Sequence, residues 1–172
     1  MPANEKQEVW SYDDFAAYVQ SERERFYRIA FSYVKDSDAA MDIVQQAIYR
    51  ALRSMDTLQE PRYARTWFYR ILINTCIDER RHLQRWVATD PVEFSNLPDP
   101  QAPEVDRLMD LQRAVDALEP EEKSIIVLRY FEDLKLRDIA EILDMNLSTV
   151  KNKLYRILAQ LKVELERKEE KE

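Results

Sequence analysis

Ser148, Lys151, Asn152, Tyr155 and Arg156, with Thr149 among them, crowd cationic and hydrogen-bonding groups into one short stretch of this chain. Interleaved with them, Val150, Leu154, Ile157, Leu158 and Leu161 recur at helical spacing. A helix that buries the apolar stripe turns the polar set outward, where such groups can meet phosphate oxygens and base edges in a major groove. A second group mixes arginines with aromatics: Arg62, Tyr63, Arg65, Trp67, Phe68, Tyr69 and Arg70, followed by Asn74, Asp78, Arg80 and Arg81. Asn74, Asp78 and Arg81 share a helix face at i, i+4, i+7. Exposed aromatics beside arginines suit stacking on unpaired bases, each worth about 1–3 kcal/mol. Trp67, by its size, reads as a packing residue before it reads as a platform.

Other chemistries find no support. A chain without glycine cannot hold a Walker loop, a dinucleotide fingerprint or a nucleophile elbow. One cysteine, Cys76, and one histidine, His82, make no metal cluster of familiar spacing, and they read as a core thiol and a surface imidazole. No cofactor is implied. No apolar run reaches the length of a membrane span, and MPANEKQEVW lacks the form of a signal peptide, so a cytoplasmic protein without membrane insertion is expected.

The formal charge of -7 looks wrong for a nucleic-acid binder until it is divided along the chain. Six arginines face two acids between Arg62 and Arg85, and six bases face two acids between Ser148 and Lys168. From Val87 to Glu122, ten acids face only Arg107 and Arg113. Two basic islands are thus separated by an acidic stretch.

The elements that must position these groups are helical. A first helix is expected after Ser11, with Asp14 at its third position, carrying Phe15, Val19, Phe26, Ile29, Ala30 and Tyr33 inward. Asp36-Ser37 recaps the chain for a second, with Ala40, Ile43, Val44, Ala47, Ile48, Ala51, Leu52 and Met55 on one stripe and Asp42, Gln45, Gln46, Tyr49 and Arg53 opposite. After the Asp56–Pro61 loop, a third carries Trp67, Phe68, Ile71 and Leu72 inward. Pro91, Pro98, Pro100 and Pro103 mark an extended linker. Beyond it a helix with Leu108, Leu111, Val115 and Leu118 precedes a restart at Glu119-Pro120. Leu136, Ile139, Ala140 and Leu143 then begin a helix-turn-helix whose turn, Asp144 to Leu147, has no glycine, with Ser148 or Thr149 able to cap its second helix. The fold class is all-α: two small helical domains, 1–86 and 108–172, joined by an acidic linker, 87–107.

With these elements laid out, DIVQQAIYRAL and WFYRILINTCIDERR, followed by LRYFEDLKLRDIAEIL and STVKNKLYRIL, resemble the extracytoplasmic-function sigma factors of bacterial RNA polymerase. The resemblance spans nearly the whole chain and points to a cell-envelope-stress member from a Gram-positive bacterium. It implies that Asp42, Gln45, Gln46 and Tyr49 dock on the clamp helices of the largest catalytic subunit of core polymerase, with the second domain at the flap. Arg62, Tyr63, Trp67, Tyr69, Arg70, Asn74, Asp78, Arg80 and Arg81 would serve the -10 element, with the Asp56–Tyr63 loop near a flipped base. Ser148, Thr149, Lys151, Asn152, Tyr155 and Arg156 would read the -35 element. The linker would lie in the nucleic-acid channel, and a membrane-anchored anti-sigma factor would hold the protein idle. The family usually has glutamate where this chain has Gln46, and glycine where it has Asp133, Asp144 and Ser148. Asp144 would then need a left-handed conformation at about 1 kcal/mol. A polymerase-independent helix-turn-helix regulator and an all-helical adaptor with incidental basic islands are the competing readings.

Overall fold

The computed structural model describes residues 10–87 and 103–169, with side chains from Trp10 to Trp86 and from Arg107 to Arg167. The chain divides into two compact units, Met1–Glu79 and Arg80–Glu172.

In the first unit, α1 (Tyr12–Val34) starts on the capping box foreseen from Ser11 and Asp14. The Asp14 amide donates to Ser11 Oγ at 3.1 Å and the Ser11 amide donates to Asp14 Oδ2 at 2.9 Å, so two amide donors at the helix start are satisfied reciprocally. α1 stops at Lys35, which adopts φ 55 and returns its N–H to the Phe31 carbonyl at 2.8 Å. Asp36 immediately caps α2 (Ser37–Arg53) by accepting from the Ala39 amide at 2.8 Å. The α2 stripe of Ala40, Ile43, Val44, Ala47 and Ala51 is buried, its alanines letting the backbone approach its neighbours closely. Met55, expected on this stripe, lies beyond the helix in a 3-10 turn (Met55–Thr57), and Leu52 is 38% exposed. A second 3-10 turn (Pro61–Tyr63) leads into α3 (Ala64–Val87).

Aromatic packing holds these helices. Phe26 and Phe68 are fully buried with ring centroids 4.8 Å apart, and Phe15 meets Phe68 edge-on at 5.5 Å. Each such burial contributes roughly 1.5–3 kcal/mol, which makes this cluster the main anchor of α3 on α1. Cys76 is the buried core thiol expected.

In the second unit, α4 (Pro103–Asp116) begins earlier than the linker reading allowed, so residues 103–107 are helical. Proline at the first position needs no N–H partner, and so it starts the helix there. Residues 88–102 of the expected linker lie outside the described residues. Of the expected leucines, Leu108 and Leu111 are exposed at 66% and 39%, Leu118, just past the end of α4, is buried, and Ala114 adds to the buried face. α5 (Pro120–Ile126) starts at Glu119-Pro120 as expected and continues into a π-helical segment (Val127–Phe131). Lys123 is buried, and its Nζ reaches Asp116 Oδ1 at 2.7 Å, tying α5 to the end of α4.

α6 (Leu136–Ile142) and α7 (Leu147–Glu169) form the helix-turn-helix. Asp144 occupies the left-handed region at φ 53. The Met145 amide donates to the Ala140 carbonyl at 2.8 Å and the Asp144 amide to the Glu141 carbonyl at 3.3 Å. These two bonds make a Schellman motif with aspartate at the place glycine usually holds. Asp133 adopts φ 50 after the π-helical segment. Ser148 does not need such freedom, because α7 has already begun at Leu147. For the same reason Ser148 and Thr149 are not the residues before the helix, and the expected cap is corrected: they stand at its second and third positions.

Candidate nucleic-acid interface

The α7 stripe is buried as predicted: Val150 and Ile157 are fully enclosed, and Leu154 and Leu161 nearly so. That burial fixes the rotation of the helix, so Ser148, Lys151, Asn152, Tyr155 and Arg156 are all exposed, with Thr149 half-buried beside them. Tyr155 stands 67% clear of the protein. One face therefore combines two cations, an amide, a phenol and a hydroxyl, a set able to bind phosphates as point charges and base edges through directional donors. Sequence reasoning missed the acids that meet this face. Glu122 on α5 accepts from Arg156 Nη2, and Glu121 Oε2 stands 3.9 Å from Lys153 Nζ. The sequence separation of 34 residues between Glu122 and Arg156 gave no local sign of the pair.

In the first unit, burial of the α2 stripe leaves Asp42, Gln45, Gln46 and Tyr49 exposed together. Arg53 lies one turn on, its guanidinium 5.7 Å from the Tyr49 ring centroid and its Nη1 donating to the Tyr49 hydroxyl at 3.2 Å. The outer ring of Tyr49 is thereby steadied by a cation that was visible in the i, i+4 spacing.

The second basic island divides between surface and core. Arg62 and Tyr63 are exposed, with the guanidinium 4.9 Å over the ring and Glu60 paired to Arg62. Trp67 is half-buried: it packs edge-on against Phe15 and its Nε1 donates to Thr57 Oγ1 at 3.1 Å, pinning the loop ahead of α3. Tyr69 is a correction. Expected at the DNA face, it is fully buried against Phe26, with Arg65 over its ring at 5.6 Å. It sits next to Phe68 on the same inward arc, and a ring of that size packs where the helix turns it. Arg70, Asn74, Asp78 and Arg81 are exposed, and Arg80 is half-buried.

Arg50 also escaped the sequence reading. Its Nη1 donates to the buried Thr75 Oγ1 at 3.2 Å and to Asp78 Oδ2 at 3.4 Å, linking α2 to the exposed face of α3. The negative charge of Asp78 on that face is thereby partly balanced. Among the described residues no helix is long and apolar enough to cross a membrane, and no group of three or more metal-ligating side chains comes together.

Two separate stretches of the chain match known protein families. Residues 18–86 match the family described as Sigma-70 region 2, and residues 108–161 match Sigma-70, region 4. The chain is 42% identical over 147 residues to RNA polymerase sigma factor SigV of Bacillus subtilis, spanning 86% of this chain and 88% of that protein. It is 28% identical over 158 residues to ECF RNA polymerase sigma factor SigW of the same organism, spanning 84% of each. Among solved structures, the fold is shared with the sigma factor RpoE of Bartonella quintana, crystallised in complex with the anti-sigma factor NepR. That likeness has a TM-score of 0.69 at 22% identity and covers 90% of this chain and 98% of that one.

Proposed function

Because the chain belongs to the sigma-70 family of RNA polymerase sigma factors, in its extracytoplasmic-function group, we propose that it directs core polymerase to promoters through a two-point grip on DNA. The division of labour is as follows. Asp42, Gln45, Gln46 and Tyr49 dock on the clamp helices of the largest catalytic subunit, and the second domain sits at the flap. The loop from Asp56 to Tyr63 and the outer face of α3 capture the -10 strand, with Arg62 and Tyr63 as a cation-backed platform and Asn74, Asp78, Arg80 and Arg81 along the helix. Trp67 braces that loop from behind, Arg70 meets phosphate, and Tyr69 belongs to the core. Taking a base out of the duplex costs a few kcal/mol, which stacking and phosphate contacts near the loop can offset. α7 enters the major groove at the -35 element with Ser148, Lys151, Asn152, Tyr155 and Arg156.

The observation that carries this reading is the rotation of α7: Val150, Leu154, Ile157 and Leu161 are buried and every candidate base reader but the half-buried Thr149 is exposed. The domain division 1–86, 87–107 and 108–172 is supported by the two matched regions, 18–86 and 108–161. The protein acts in the cytoplasm as a binding subunit: the work is strand capture and positioning, with no covalent step of its own. An anti-sigma factor, expected to be membrane-anchored, holds it idle; the shared fold with a sigma factor crystallised with an anti-sigma factor supports control by a partner of that kind. Reconstitution tests the whole. The full chain added to purified core polymerase gives transcripts from defined start sites, and the absence of such transcripts in a clean system overturns the proposal in favour of a polymerase-independent regulator.

A further inference from the structure

Arg156 is met by an acid that neither the family matches nor the exposed face of α7 explains. Glu122 stands in the first turn of α5, and its side chain is only 17% exposed while that of Arg156 is 64% exposed. The carboxylate is thus held largely out of water, yet the guanidinium it grips still faces outward. α5 itself is a rigid mount, since Pro120 is buried and Lys123 is tied to Asp116. A guanidinium has five donors in a planar fork, and the bond from Nη2 to Glu122 engages only one.

From this geometry, and resting on α7 being the -35 reader, we infer that Glu122 is a specificity-determining positioning residue, which orients Arg156 to read a base edge and suppresses its use as a general phosphate contact. Two physical effects combine. Fixing the plane of the fork before DNA arrives removes ordering that a bidentate contact would otherwise require. Cancelling the charge of Arg156 weakens its pull on any backbone, which carries no sequence information. The correct site keeps the directional contact, and wrong sites lose the charge-driven one.

Variants at Glu122 separate orientation from charge. The holoenzyme is assembled from core polymerase and the full chain. It transcribes a promoter pool, built on a fragment found by run-off transcription and randomised at the -35 element, and the transcripts are sequenced. Glu122→Ala should lower discrimination at one base pair about tenfold, within the usual value of a bidentate contact, and raise the salt slope of binding by about one. Glu122→Gln keeps an acceptor oxygen but not the charge, so discrimination should fall by less than in Glu122→Ala while the slope rises as much. Glu122→Asp keeps the charge but shortens the reach, so discrimination should fall with the slope unchanged. A uniform gain or loss across all sequences, or no change in any variant, overturns the inference. If Arg156→Ala is itself silent at every base pair, the -35 reading of Arg156 fails, a result distinct from a silent Glu122.

Discussion

Asp144 is where an element of the sequence pattern and the demands of the backbone collide. It closes α6 at φ 53 in a chain with no glycine, and the angle at which α7 leaves the turn depends on the two amide bonds at 2.8 and 3.3 Å. Replacing it by glycine removes a left-handed penalty of about 1 kcal/mol but adds unfolded-state freedom of about 0.5–1 kcal/mol, leaving a net change within roughly 0.5 kcal/mol. Alanine lacks the tolerance of aspartate for this region and should cost about 1 kcal/mol. Valine, branched at Cβ, is worse still, and forcing the turn open weakens bonds worth about 1 kcal/mol each, for a total of about 2 kcal/mol. Hydrogen exchange at the amides of Ile139, Val150 and Ile157 reads the second unit by itself. Exchange through global opening should quicken about 30-fold for Asp144→Val and about fivefold for Asp144→Ala, and change no more than about twofold for Asp144→Gly. Valine indistinguishable from wild type, or glycine as damaging as valine, would rule out a left-handed requirement at Asp144.

The hydroxyl and backbone N–H of Ser11 hold the Asp14 carboxyl below its ordinary pKa. Its contribution to α1 is therefore present above the unfolded pKa of about 3.9 and lost as pH falls through the folded one. In an NMR titration, Ser11→Ala should move the Asp14 midpoint upward; an unmoved midpoint contradicts the capping assignment. Replacing Asp42 and Gln45 together by Ala should weaken binding to core polymerase at least tenfold with an unchanged circular dichroism spectrum, and retained affinity would remove that face from the account. Replacing Lys151 by Ala should weaken -35 binding and reduce its salt slope by about one if the ammonium meets phosphate, as competition binding at several salt concentrations can measure. Lys123→Ala leaves the Asp116 carboxylate without the buried ammonium it meets at 2.7 Å, and should lower the stability of the second unit by about 3 kcal/mol, read by the same hydrogen exchange. An effect below about 1 kcal/mol would show the pair to be dispensable.

What was legible in the sequence was local. Ser11 with Asp14, Asp36, and Glu119-Pro120 announce helix starts because capping acts across three or four residues. The stripes of α2 and α7 announce which faces turn inward, and hence which candidate residues are exposed. The failures share a different cause. Tyr69 is buried against Phe26, distant in sequence, and the packing of α4 encloses Ala114 while leaving Leu108 and Leu111 exposed, a rotation set by neighbouring helices and not by the spacing on α4 alone. Arg50 at Thr75 and Asp78, and Glu122 at Arg156, are contacts between helices that no spacing rule on one helix could reveal. The departures from glycine at Asp133 and Asp144 were legible, and both residues adopt the left-handed conformation their positions imply.

If the exposed face of α7 selects promoters while the outer face of α2 holds polymerase, transcription should depend on the -35 sequence. Run-off transcription by core polymerase with the full chain, on one promoter and on the same promoter with its -35 element scrambled, tests it most directly. A single start site is expected on the first template, a loss of at least tenfold on the second, and a smaller difference between templates for the Arg156→Ala protein, whose other exposed α7 residues still read the element. Equal transcription from both templates by the unaltered protein would contradict that dependence.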